Sequence, residues 1–126
     1  MKALIVDDSK AVHAFVREIL NEIGVEHQSV FNGREGLSKL QEVGEGYFSI
    51  VFLDWEMPEM TGPELVKELN RIGFKVPIIM MTSKSSMSDI AQMLSEGVAE
   101  YIMKPFTQDI FKGKLEEVVG KGQMPK

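Results

Sequence analysis

Four short apolar runs each give way to a residue with chemistry. Ala3-Leu4-Ile5-Val6 is followed by Asp7 and Asp8, Ile50-Val51-Phe52-Leu53 by Asp54, Val76 to Met81 by Thr82 and Ser83, and Ala99 to Met103 by Lys104. If these runs are strands of one parallel sheet, the polar residues gather outside the carboxyl ends, where open α/β sheets bind ligands. Taken singly, each has a plain structural explanation. Asp8 or Ser9 would cap a helix, Asp54 would open a turn toward Met57-Pro58, Thr82 suits a strand, and Lys104 would be a solvated strand end. Taken together, they put three carboxylates, a hydroxyl and an ammonium on one rim. Three carboxylates repel one another strongly unless they splay into water or share a cation. An all-oxygen set suits a hard ion such as Mg²⁺, which takes one or two protein carboxylates and leaves its other positions to water and phosphate. A cation, a lysine and a hydroxyl neutralise phosphoryl oxygens. A remaining carboxylate is then able to attack phosphorus.

The elements that must position these residues follow from periodicity. Between the first run and the next, Val12, Phe15, Val16, Ile19, Leu20 and Ile23 recur at helical spacing, so residues 9–23 are a predicted helix with Gly24 as its stop. Val25 to Val30 is a weaker strand. Gly33 to Val43 is a helix carrying Leu37 and Leu40. Pro63 to Ile72 is a helix with Leu65, Val66 and Leu69 on one face, and Pro63 suits its first turn. Ser86 to Glu96 carries Ile90, Met93 and Leu94, and Gln108 to Val119 carries Phe111, Leu115, Val118 and Val119. Five strand–helix units result. Runs that are apolar throughout belong to strands covered on both faces, which predicts a parallel α/β sheet with helices on either side. Right-handed crossovers make it doubly wound. The spacing itself leaves the strand order open.

Composition narrows the function classes. The chain has 126 residues, 14 Lys and Arg against 19 Asp and Glu, and a formal net charge of −5. One domain with a substantial core is expected at this length. The absence of Cys excludes a disulfide scaffold, a thiolate zinc site and a cysteine nucleophile. An acidic chain is a poor partner for a nucleic-acid backbone. No apolar run approaches the ~20 residues of a membrane span, and Asp7 follows Met1 too soon for a signal peptide. A cytoplasmic protein is the expectation. The two histidines, His13 and His27, fit no pattern; His13 reads as a surface residue of the first helix. Met87, Met93 and Met103, among nine Met, belong either to the core or to an adaptable surface.

Four separated motifs, in order, carry a resemblance. They are Val6-Asp7-Asp8-Ser9, Leu53-Asp54-Trp55-Glu56-Met57-Pro58-Glu59-Met60-Thr61-Gly62, Met81-Thr82-Ser83 and Tyr101-Ile102-Met103-Lys104-Pro105-Phe106. The chain resembles the receiver domains of two-component response regulators, most closely the stand-alone chemotaxis type, from about residue 2 to about residue 119. The resemblance implies a five-stranded sheet in order 2-1-3-4-5 with five helices. Residues 1–120 would be the receiver domain and residues 121–126 a flexible tail. It implies Asp54 as phosphoacceptor, Asp8 and Asp7 as Mg²⁺ ligands together with Asp54 and the backbone carbonyl of Glu56, and Thr82 and Lys104 as partners of the phosphoryl oxygens. Thr82 and Tyr101 would form a switch. The Lys104-Pro105 bond would be cis, and Gly62 would serve the turn into the third helix. The implied partners are a sensor histidine kinase and an output target, such as a flagellar motor switch protein, on the face of the fourth helix, fifth strand and fifth helix. The implied state is a monomer that binds neither nucleic acid nor membrane and catalyses only its own phosphorylation and dephosphorylation.

Two positions depart from the chemotaxis pattern. Glu56 stands two residues after Asp54, where an amide is usual, and Lys84 stands two residues after Thr82, where an acid is usual. An ion pair between them would sit across the route of the hydrolytic water; two separately solvated charges are the plain alternative. With Asp7, Asp8, Asp54 and Glu56 set against Lys84 and Lys104, the site carries more acid than base in the absence of metal. Two rival functions remain open in the sequence. One is a receiver cut from a larger regulator or a phosphorelay shuttle. The other is a Mg²⁺-dependent aspartyl phosphatase, although the haloacid-dehalogenase type places nucleophile and acid two residues apart after the first strand.

Overall fold

The computed structural model describes residues 1–83, 86–120 and 122. Five strands alternate with five helices: β1 (Lys2–Val6), α1 (Lys10–Glu22), β2 (Glu26–Val30), α2 (Gly33–Val43), β3 (Ile50–Asp54), α3 (Gly62–Arg71), β4 (Ile78–Thr82), α4 (Met87–Ser95), β5 (Glu100–Met103) and α5 (Gln108–Val119). All pairings are parallel and the strand order is β2-β1-β3-β4-β5. The sheet is therefore doubly wound as expected, and the order left open by periodicity is the one implied by the resemblance. The tail expected over residues 121–126 lies, apart from Gly122, outside the described residues.

The alternation of side chains along each strand builds two cores. Leu4, Val6, Val51, Leu53, Ile78 and Met80 face Leu40 of α2, Leu65, Val66 and Leu69 of α3, and Met93 of α4. Ala3, Ile5, Ile50, Phe52, Ile79 and Met81 face Val16, Ile19 and Leu20 of α1 and Phe111 and Leu115 of α5. All residues of β3 and β4 are buried, which is why those runs are apolar from end to end. β2, at the edge, is exposed or half-buried until Val30.

Local chemistry sets the helix starts. Ser9, Asn32, Thr61, Ser86 and Thr107 each accept a backbone N–H of the first turn through the side chain, and Thr61 with Glu64 forms a reciprocal capping box. Gly24, with φ of 78°, ends the first helical unit as expected.

Three sequence expectations are corrected. β4 starts at Ile78 rather than Val76, since Pro77 has no N–H to give to a ladder. On α1 and at its C-cap, Val16, Ile19, Leu20 and Ile23 are buried as expected and Val12 is half-buried against the core, but His13 is fully buried while Phe15 is exposed and lies against Phe106. The α4 face is thin, with Met93 buried, Ile90 half-buried and Leu94 exposed. Among the described residues, no helix is long and apolar enough to cross a membrane.

Candidate functional site

The carboxyl ends of β1, β3, β4 and β5 bring the expected residues together. Asp8, Asp54, Trp55, Glu56, Met57, Thr82, Ser83 and Lys104 line one open cleft of about 500 Å³. Asp7 lies beneath it, with no exposed surface. One carboxylate oxygen each from Asp7, Asp8 and Asp54 lies within 4.8 Å of the other two.

Each side chain has an identifiable support. Ser9, not Asp8, caps α1, and its N–H donates to Asp7 Oδ1 at 2.8 Å. Asp8 is thereby left exposed at the cleft. Asp54 closes β3 in register with Met81 of β4, and its main-chain oxygen lies where a Cβ on Gly62 would be, only 2.4 Å away. Glycine at position 62 is thus a packing requirement: α3 starts against the back of the Asp54 peptide. Thr82, at the end of β4, is 1% exposed. Lys104 follows β5, donates its backbone N–H to Thr82 at 2.8 Å, and precedes a cis bond to Pro105.

Lys104 Nζ bridges two of the acids, at 3.0 Å from Asp7 Oδ2 and 2.9 Å from Asp54 Oδ1. Burial pulls its ammonium down, but the hydrogen bonds to Asp54 and Asp7 outweigh that and hold it above the usual lysine range. Asp54 moves the other way. Burial pushes its carboxyl up to about 6; Lys104 opposes this, and the charges of Asp7 and Asp8 add to it. Three carboxylates thus face one ammonium, and the group at the centre holds its charge at a cost.

The donor set fits a hard divalent ion. Its atoms are all oxygens, they converge from two strand ends, and the cluster carries more negative charge than Lys104 balances. Asp7, Asp8 and Asp54 are the side chains able to hold it, and Glu56 lies at the same cleft. Among the described residues, no buried side-chain polar atom lacks a partner.

The other expected residues are placed as follows. Glu56 is exposed on the cleft wall. Lys84 lies outside the described residues, so its pairing with Glu56 does too. Tyr101 is half-buried on β5, packed against the core shared with Met93, with Lys114 Nζ 5.1 Å from its ring centre. Of the three Met, Met93 is core, Met87 is 80% exposed at the start of α4, and Met103 is half-buried. His13 corrects the surface expectation, since it is buried behind Asp7.

Residues 3–116 match the family described as the response regulator receiver domain. The chain belongs to this family. The receiver is 36% identical to the chemotaxis protein CheY homologue of Campylobacter jejuni, over 97% of this chain and 95% of that protein. It is also 36% identical to the chemotaxis protein CheY1 of Helicobacter pylori, over 95% and 98% of the two chains. Among solved structures, the Vibrio cholerae chemotaxis protein CheY4 superposes with a TM-score of 0.83 at 31% identity, covering 94% of this receiver and 98% of CheY4. A two-component response regulator from Clostridium difficile shares the fold, with a TM-score of 0.86 at 23% identity and 98% coverage of each chain.

Proposed function

We propose that this receiver accepts a phosphoryl group on Asp54 in a Mg²⁺-dependent reaction and so switches the surface built by α4, β5 and α5. The observation that carries this reading is the position of Asp54. It is a buried carboxylate at the floor of an open cleft, held by a lysine and flanked by two further acids. An ordinary structural aspartate has no reason to be placed where burial and two like charges oppose its ionisation.

The chemistry follows from the donors. A phosphohistidine of a sensor kinase, or a small donor such as acetyl phosphate, enters the cleft. An oxygen of Asp54 bonds to phosphorus as the bond to the leaving nitrogen or oxygen breaks. Above its pKa of about 6 the carboxylate is ionised, so at neutral pH the nucleophile is ready. The Lys104 ammonium neutralises a phosphoryl oxygen, and the Thr82 hydroxyl donates to another. A bound Mg²⁺ would supply further neutralisation of the phosphoryl oxygens. Movement of Thr82 toward the phosphate then changes the packing open to Tyr101 on the neighbouring strand, a two-state element biased by a local charge event.

The target surface is supported by exposed apolar residues on the switching elements, Met87 and Leu94 on α4 and Ile110 on α5. The likeness to chemotaxis proteins favours a flagellar motor switch protein as the target, with the receiver acting as a cytoplasmic monomer. It acts as an acceptor that turns over only its own phosphoryl group. Mass spectrometry after incubation with acetyl phosphate and Mg²⁺ tests this: one added PO₃ on the wild type and none on Asp54→Asn is expected. Multiple turnover of a small phosphoester, or modification of the Asn variant, refutes it.

A further inference from the structure

His13 stands outside the cleft and yet has no exposed surface. Its ring ties the end of β1 to β2. Nε2 lies 2.7 Å from the main-chain oxygen of Asp7, and Nδ1 lies 3.0 Å from Ser29 Oγ. A carbonyl oxygen only accepts, so Nε2 carries a proton and donates it. In the neutral ring Nδ1 then accepts from the Ser29 hydroxyl, which sets the tautomer. The ring of Phe31 lies against the imidazole at 4.3 Å between centroids.

Asp7 is consequently held at every polar atom. Its N–H donates to Val30 O at 3.3 Å, Oδ1 accepts from Ser9 N–H at 2.8 Å, Oδ2 accepts from Lys104 at 3.0 Å, and its carbonyl accepts from His13. Asp8, by contrast, is exposed. The peptide joining the two acids is the one whose oxygen His13 grips, so the imidazole sets the orientation of both Asp7 and Asp8.

We infer that His13 is a positioning residue for the metal site: its Nε2–H clamps the Asp7–Asp8 peptide so that both carboxylates are presented to the ion before it arrives. This rests on the proposed Mg²⁺ reading of the cleft. Groups that orient metal ligands from behind commonly hold 10- to 100-fold in affinity.

The test compares two substitutions of similar size in the full chain. His13→Gln keeps an N–H donor near the place of Nε2; His13→Leu fills the space without one. Mg²⁺ is titrated against Trp55 fluorescence, and melting temperatures are taken with and without the ion. His13→Leu is expected to weaken the metal about 10-fold, and His13→Gln to stay within about 3-fold of wild type. A residue that merely packs would lower the metal-free melting temperature and leave the metal constant unmoved. Wild-type affinity in His13→Leu overturns the inference, as does an equal loss in both variants. Ser29→Ala, on the edge strand, covers a His13→Leu that does not fold. It releases Nδ1 and is expected to weaken the metal about 3-fold; an unchanged constant overturns the inference. A wild type that shows no response to Mg²⁺ refutes the reading of the cleft itself, a different outcome from a wild type that binds and variants that bind equally well.

Discussion

Asp54→Asn in metal-free buffer is expected to stabilise the protein, and by an amount that depends on pH. The folded-state pKa of Asp54 is about 6 against 3.8 for an ordinary aspartate. The folded protein therefore holds this proton more tightly than the unfolded chain does. Below pH 3.8 both states are protonated and the site costs nothing. Between pH 3.8 and 6 the unfolded chain ionises while the folded protein resists, so stability falls. Above pH 6 the full cost is present. A gap of about 2 pKa units corresponds to roughly 3 kcal/mol. The Asn side chain is nearly isosteric and does not titrate, so it removes this cost. Groups remote from the cleft titrate alike in both proteins and cancel in the wild-type-minus-variant difference, which reports Asp54 together with the acids coupled to it. In EDTA, the stability advantage of Asp54→Asn should grow by about 2.5 kcal/mol from pH 4 to pH 8, since a small part of the cost is already present at pH 4. For a domain of this size that is a shift in melting temperature of roughly 10 °C. Urea melts at several pH values provide an independent measure. Saturating Mg²⁺ at pH 8 should shrink or reverse the advantage, because wild type gains a ligand that the variant holds poorly. A difference that stays flat from pH 4 to pH 8 would refute the argument that burial and two neighbouring acids oppose the charge on Asp54.

Four further outcomes are expected. Mg²⁺ at 100 times its dissociation constant should stabilise wild type by about 2.7 kcal/mol by mass action; calorimetry should show most of that gain gone in Asp8→Asn. Trp55 is the only tryptophan and lines the cleft beside Asp54, so its emission should change on titration with Mg²⁺ and again with acetyl phosphate; constant emission in both titrations would contradict its placement. Gly62→Ala should cost about 2 kcal/mol or more in chemical denaturation, since its Cβ would meet the Asp54 carbonyl oxygen at 2.4 Å; a neutral effect would show that the start of α3 is free to shift. Glu56→Asn and Lys84→Ala should each shorten the lifetime of the phosphorylated form, read by decay of the added mass, and unchanged lifetimes would remove the idea that these charges hinder the hydrolytic water.

Much of the architecture was legible in the residues alone. Strands covered on both faces must be apolar throughout, so β1, β3 and β4 announced themselves, and each ended at the polar residue that reaches the cleft. The five-unit alternation and the convergence of Asp7, Asp8, Asp54, Thr82 and Lys104 on one rim followed from that. Tertiary structure decided what periodicity leaves degenerate. Strand order depends on pairing between distant segments, and the family motifs, not the spacing, pointed to it. On α1, the spacing puts Phe15 inside beside Val16 and leaves His13 at the surface, and the fold exchanges Phe15 and His13. What settles it is that Asp7 and Ser29, brought close by the β1–β2 pairing, offer a buried imidazole both hydrogen bonds it needs. The same holds for the charge on Asp54. Its residue type is written in the chain, but its resistance to ionisation exists only once folding has removed water and set Asp7 and Asp8 beside it, because desolvation and Coulomb repulsion are properties of distances that a linear sequence does not contain.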